Sequence, residues 1–328
     1  MKKQKSSAAR LSVMLAAVLL LAAALAGCGK SNVTLSEGKV NAITTFYTLY
    51  DFTSQIGGDK VNVINLVPAG VEPHDWSPKS RDLVNIGKAQ LFIYNGAGFE
   101  GWVHEFLDSR KKDSGLSVIT ASDGVELIRG VHEDDHDHGK EKKSKKDDHA
   151  HEETSDVDPH VWVSPKSALR MAENIKNGLV QADAANKAYY ETNYETLRKQ
   201  LAELDARFSQ SLGKAPRKEI VVSHQAFGYL ARDYGLTQKP IMGLSPDSEP
   251  TAQDLKEINK FVKENNVKYI FFEELVSDKM AKTLAKDAGI ETLVLNPLEG
   301  LTQEQVKAGD NYVTVMDKNL QNLLKALQ

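Results

Sequence analysis

Between residues 184 and 213 the chain carries Tyr190, Tyr194, Leu197, Leu201, Leu204, Phe208 and Leu212, apolar side chains that recur every three or four positions. That period puts them on one face of a helix. About 30 residues at 1.5 Å each make a rod of roughly 45 Å, too long for one small domain and long enough to brace two. The stripe reads as core packing, so the rod needs partners along both of its halves. The sequence supplies them as one pattern used twice. Ahead of the rod, strand-like runs at 41–46, 61–67, 90–95 and 117–120 alternate with helical stretches near 48–56, 78–86 and 99–107, and a helix from 165 to about 180 leads into it. Behind it, runs at 219–223, 240–243, 268–272 and 292–295 alternate with helices near 225–234, 251–264, 278–288 and 303–327. Alternation at this spacing implies parallel sheets with helices on their faces. The expected fold is α/β: two lobes, 39–183 and 214–328, each a mostly parallel four-stranded sheet with flanking helices, joined by one long rigid helix at 184–213.

The N-terminus stands apart. Lys2, Lys3, Lys5 and Arg10 precede an apolar run from 11 to 26, which reads as a secretory leader. It ends in Leu25-Ala26-Gly27-Cys28, which resembles a bacterial lipobox. On that likeness residues 1–27 are removed, Cys28 is lipidated, and 28–38 tether the protein to the outer face of the cytoplasmic membrane. Cys28 is the only cysteine, so the mature chain has neither a disulfide nor a thiolate metal ligand. Loss of the leader removes four basic residues and moves the formal charge from −4 to −8. Nothing forms a basic patch for nucleic acid, and no second apolar run is long enough to span a bilayer.

One short motif occurs twice. Val71-Glu72-Pro73-His74-Asp75-Trp76-Ser77-Pro78-Lys79-Ser80 is echoed by Val157-Asp158-Pro159-His160-Val161-Trp162-Val163-Ser164-Pro165-Lys166-Ser167. Proline stiffens the approach to each histidine, tryptophan offers an apolar wall, and Ser-Pro suits a helix start. Each histidine is thus held as a metal ligand needs to be. Residues 132–158 break the strand and helix pattern. They hold His132, His136, His138, His149 and His151 among acidic and basic residues, five of the nine histidines in the chain. So polar a segment cannot bury a core of its own and reads as a mobile loop suited to weak, multidentate metal capture.

In open parallel sheets ligands bind beyond the carboxyl ends of the strands. His74 follows the run 61–67, His224 follows 219–223, Glu273 and Glu274 end 268–272, and Glu299 follows 292–295. His160 enters from the crossing between lobes. Three histidines and one or more carboxylates are therefore expected at one edge. Nitrogen-rich four-coordinate sites suit Zn²⁺, and oxygen-rich ones suit Mn²⁺ or Mg²⁺. His104 reads as a surface or packing histidine, and Gly228 and Tyr229 as helix packing.

These residues resemble the zinc-binding receptor lipoproteins of bacterial ABC importers, the metal-specific branch of the solute-binding proteins. The likeness covers the lipobox, both Pro-His-x-Trp elements, the histidine-rich insertion, Ser223-His224-Gln225-Ala226-Phe227-Gly228-Tyr229, Gly243-Leu244-Ser245-Pro246, Phe271-Phe272-Glu273-Glu274 and Asn296-Pro297-Leu298-Glu299-Gly300-Leu301. It implies metal ligation by His74, His160, His224 and Glu299, with Glu72 and Glu273 as alternatives to Glu299, since some zinc members use water there. The manganese branch carries a carboxylate at the third position, so His224 points to zinc. The resemblance further implies a monomeric, non-catalytic receptor that hands Zn²⁺ to an ABC permease and its ATPase. A manganese-selective receptor, a secreted zinc hydrolase with Glu273 or Glu274 as base, and a surface adhesin are the other readings. The hydrolase lacks a His-Glu-x-x-His helix, and no sequence feature argues for adhesion. Capture needs neutral imidazoles, so affinity is expected to fall as pH drops through about 6.5.

Overall fold

The structure, a computed structural model, describes residues 34–110, 115–130, 157–247 and 250–328. Cys28 and the histidines at 132, 136, 138, 149 and 151 lie outside the described residues. Residues from Leu35 to Gln328 form one compact unit.

The first half lays down β1 (Val40–Thr44), α1 (Tyr47–Gly57), β2 (Val61–Asn65), α2 (Ser80–Ile86), β3 (Leu91–Tyr94), α3 (Val103–Ser109) and β4 (Ser117–Thr120), followed by α4 (Pro165–Ala182). Then comes the rod, α5 (Lys187–Gly213), entered through a 3₁₀ turn at Ala184–Asn186. The second half adds β5 (Glu219–Val222), α6 (Gly228–Tyr234), β6 (Thr237–Pro240), α7 (Ala252–Glu264), β7 (Tyr269–Phe272), α8 (Lys279–Ala288), β8 (Glu291–Val294), α9 (Gln303–Ala308) and α10 (Tyr312–Ala326). Both sheets are four-stranded and parallel, with orders β2-β1-β3-β4 and β6-β5-β7-β8. The strand order reverses between β1 and β3 in one lobe and between β5 and β7 in the other. The carboxyl ends of those pairs open the crevices where ligands collect.

Three expectations shift. The helix expected over 303–327 is two, because Gly309 closes α9 at φ 73° and the Asn311 side chain accepts from the Thr314 amide to start α10. The strand expected at 240–243 lies at Thr237–Pro240, a polar edge strand that pairs only with β5, and Pro240 ends it. The loop expected over 132–158 ends earlier: Val157 pairs with Arg129 and both Val157 and Asp158 are buried.

The rod does more than space the lobes. Tyr190, Leu197, Leu201, Leu204, Phe208 and Leu212 are all buried, against α1 and α4 on one side and α6 and α10 on the other. The larger of two hydrophobic clusters runs through both lobes, taking in Phe52, Trp162, Leu201, Phe208, Leu298 and Tyr312, and the smaller, with Val221, Ile258, Ile270 and Leu284, belongs to the second lobe. Hydrogen bonds stitch the same seam. Trp162 Nε1 donates to the Pro297 carbonyl at 2.7 Å, Thr48 Oγ1 to the Leu298 carbonyl at 2.8 Å, and Tyr312 Oη to the Trp162 carbonyl at 2.6 Å. This seam fixes the loop that follows β8 against the first lobe.

Candidate metal centre

The repeated Val-acid-Pro-His motif folds the same way both times at its centre. The Glu72 carboxylate accepts the backbone N–H of His74 at 2.8 Å, and the Asp158 carboxylate accepts that of His160 at 3.0 Å. An acid two residues before the donor amide closes a tight local turn, and the intervening proline holds it. Beyond the histidines the copies differ. Trp162 lies 5.4 Å from the His160 ring, but Trp76 packs on Trp102, and His74 is walled instead by Phe99 at 5.0 Å. The second copy opens α4 at Pro165, yet the Ser164 hydroxyl donates to Asp233 rather than capping the helix. In the first copy the helix waits until Ser80, where Asp82 accepts the Lys79 amide.

His74 arrives on the loop after β2, His160 from the crossing, His224 from the end of β5 and Glu299 from the loop after β8. Their donor atoms all lie within 4.8 Å of one another. Nε2 of His160 is 3.1 Å from Nε2 of His74 and 3.4 Å from that of His224. Glu299 Oε1 is 3.4 Å from Nε2 of all three imidazoles. A zinc ion at about 2.0–2.1 Å from four donors sets them roughly 3.3–3.4 Å apart at the corners of a tetrahedron. Five of the six edges, at 3.1–3.4 Å, fit that ion, and the sixth, between His74 and His224, lies within 4.8 Å. Glu299 Oε1 is also buried without a hydrogen-bond partner, an arrangement that a cation at the centre would satisfy.

The far sides of two rings are set by carboxylates. His160 Nδ1 faces Asp158 Oδ1 at 2.8 Å and His224 Nδ1 faces Glu273 Oε1 at 2.7 Å. Carboxylates only accept, so each Nδ1 carries a proton and each Nε2 is turned inward, where it can offer a lone pair to a metal once its own proton has left, an orientation common among ligating histidines. Glu273 is therefore an orienting group behind His224 and not an alternative fourth ligand. Glu72 binds the His74 backbone, and Glu274 accepts from Asn296 and Gln305. Tyr229 is more than helix packing: its hydroxyl donates to the Asp158 carbonyl and accepts the Ile128 amide. His104 is exposed and paired with Asp108.

Electrostatics follow from burial among charges. Burial alone would push His224 down, but the carboxylates of Glu273 and Glu299 outweigh it and hold the imidazole up to about 10. His160 is raised in the same way by Asp158 and Glu299. Burial pushes Glu299 up, and the three facing imidazoles pull it well below the usual range. Burial and the neighbouring Glu299 drive Glu72 up to about 9.

Glu299 stands on a strained support. Leu298 holds φ 61°, a left-handed conformation that costs a branched residue about 1–3 kcal/mol. Its amide is tied to Asn296 Oδ1 and its carbonyl to Thr48. The sequence reading missed Asp158, which it assigned to the loop, although the acid at the same place in both motifs signals the shared turn.

Residues 43–326 match the family described as zinc-uptake complex component A, periplasmic. The chain is 42% identical over 315 residues to a zinc-binding lipoprotein AdcA of Streptococcus pneumoniae, covering 96% of this chain and 60% of that protein. It is also 42% identical over 318 residues to the high-affinity zinc uptake system protein ZnuA of Bacillus subtilis, covering 96% of each. The chain thus spans about 60% of the length of the AdcA relatives it matches. The crystal structure of the Zn(II)-bound ZnuA-like domain of S. pneumoniae AdcA superposes with a TM-score of 0.73 at 39% identity, over 88% of this chain and 99% of that one.

Proposed function

The chain belongs to the zinc-uptake complex component A family, and from that premise we propose that it is a zinc receptor, binding Zn²⁺ as cargo between its lobes through His74, His160, His224 and Glu299 and passing it to an ABC permease. One observation carries the reading: a single carboxylate oxygen stands 3.4 Å from each of three imidazole nitrogens. Three nitrogens and one oxygen at tetrahedral spacing favour zinc over manganese, which prefers oxygen-rich octahedral sites. We read the receptor as non-catalytic: the two acids weighed as a base are engaged, Glu273 with His224 and Glu274 with Asn296 and Gln305.

The leader 1–27, lipidation at Cys28 and the tether 28–38 place the receptor on the outer face of the membrane. Among the described residues no helix is long and apolar enough to cross it. The lobes 39–183 and 214–328 joined at 184–213 are the working unit. His132, His136, His138, His149 and His151 serve as a weaker zinc store.

The test is a competitive Zn²⁺/Mn²⁺ titration of the leaderless, metal-stripped protein, with elemental analysis. One tight zinc site is expected, and preference for manganese overturns the reading. Glu299→Ala should weaken zinc by more than the roughly 10- to 100-fold that loss of a group merely orienting a ligand costs. Deleting 132–151 should lower the zinc stoichiometry and leave one tight site. Loss of the tight site in that deletion would contradict the division of labour.

A further inference from the structure

We propose that Glu100 is a positioning residue of the metal centre: its carboxylate locks the carboxyl ends of β1 and β3 together, and that joint aims His160 and walls His74. The proposal rests on the reading of the four-residue cluster as the zinc site.

The geometry starts at the strand-order reversal of the first lobe. Glu100 Oε1 accepts from the Thr45 hydroxyl, one residue past β1, at 2.5 Å, and from the Asn95 amide, one residue past β3, at 2.7 Å. Oε2 accepts from the Gly96 amide at 3.1 Å. One carboxylate thus holds both strand ends. In the second lobe His224, two residues past β5, and Glu273, one past β7, are joined across the corresponding reversal at 2.7 Å. Both lobes therefore bridge their strand-order reversal with a carboxylate, half-buried Glu100 in the first and buried Glu273 in the second. In the second it orients a histidine directly, and in the first it acts at one remove.

Two links lead outward from the joint. The Asn95 side chain, fully buried, donates from Nδ2 to the Pro159 carbonyl at 2.9 Å, one residue before His160. Phe99, the residue before Glu100, packs edge-on to His74 with ring centroids 5.0 Å apart and against Trp162 at 4.8 Å. Glu100 also lines a cavity of about 280 Å³ beside His74, Phe99, Trp76 and Trp102. His74 is the least buried of the four site residues, its side chain 11% exposed against 4% or less for the others. Its wall is therefore the part of the centre that most needs fixing.

A neutral group would serve stability better than Glu100 does. Its neighbours are a hydroxyl and backbone amides, and among the described residues no cation offsets its charge. Burial pushes its carboxyl up to about 7 despite those hydrogen bonds. A carboxyl raised in the folded state stabilises the fold fully below its ordinary value near 4.5 and loses that contribution as pH rises through about 7. At pH 8 the fold therefore carries a charged group at a cost, a pattern expected where a residue is kept for function.

The experiment uses metal-stripped leaderless protein at pH 8, with zinc titration and thermal unfolding of Glu100→Gln. The amide keeps the shape, removes the charge and cannot accept the Gly96 amide. The expected result is a melting temperature no lower than that of the native protein, with zinc bound about tenfold more weakly. Unchanged affinity overturns the proposal, and so does a parallel fall in both, since a purely structural role moves them together. Asn95→Asp removes the donor to Pro159 while leaving Glu100 in place, and should also weaken zinc. An unaffected dissociation constant there eliminates the relay to His160. If the native protein itself shows no tight zinc site, the reading of the centre fails instead.

Discussion

A glycine decides how His160 is held. Gly228 opens α6 where a Cβ would fall 2.3 Å from Asp158 Oδ2, so any side chain there displaces the carboxylate behind His160. Gly228→Ala should lower zinc affinity by about tenfold, the usual cost of disturbing a group that orients a ligand. Zinc titration beside a circular-dichroism check of folding measures it, and native affinity would contradict the argument. The pH dependence belongs to single residues as well. His224 ordinarily titrates near 6.5 but is held up to about 10. Its protonated form stabilises the metal-free fold fully below 6.5, and that contribution is lost as pH rises through about 10. Zinc must expel this proton even at pH 8, so affinity should decline from well above 6.5 and not only below it. Calorimetry in buffers of different ionisation enthalpy should detect proton release at pH 8, and its absence would contradict the assignment. The three histidines of the cluster could be read in the sequence because each lies beyond a strand or in a repeated motif, whereas position alone left Glu299 beside Glu273 and Glu274 and only the family resemblance singled it out. Asp158 was hidden by the charged run before it, since composition does not mark where such a run enters the core. Glu100 was hidden because its partners are mostly backbone amides.

At the scale of elements, periodicity made the rod and most strands visible, and hydrogen-bonded caps decided where they end. The break between α9 and α10 depends on Gly309 at positive φ, and β6 was obscured because its outer edge carries polar Thr237, Gln238 and Lys239. What the sequence did not reveal is how α5 is used. It packs on helices of both lobes, so damage to it should be felt by both. Leu201 is fully buried in the stripe, and Leu201→Ala should cost about 2–5 kcal/mol through lost contacts and a residual cavity. Because the core is continuous across the lobes, the variant should still unfold in one cooperative transition at lower temperature. Two separated calorimetric transitions would mean that the lobes are independent, contrary to the shared core.

For the whole molecule, that shared core constrains how zinc can enter and leave. Domains move relative to one another by default unless the interface between them is large and apolar. Here the interface is the core itself, crossed by α5 and pinned by Trp162 to Pro297, Tyr312 to Trp162 and Thr48 to Leu298. A wide opening would have to expose Trp162 and Tyr312, both fully buried, and strand several of these hydrogen bonds. Local movement around the partly exposed His74 disturbs far less of the structure. Spin labels at Lys88 in the first lobe and Lys286 in the second, both exposed, would report the difference in a form whose Cys28 is replaced by serine. Adding zinc should change their separation by no more than about 2 Å, within the range of pre-organised binding. A change of about 10 Å would require the lobes to part along the seam, which the buried tryptophan and the rod oppose.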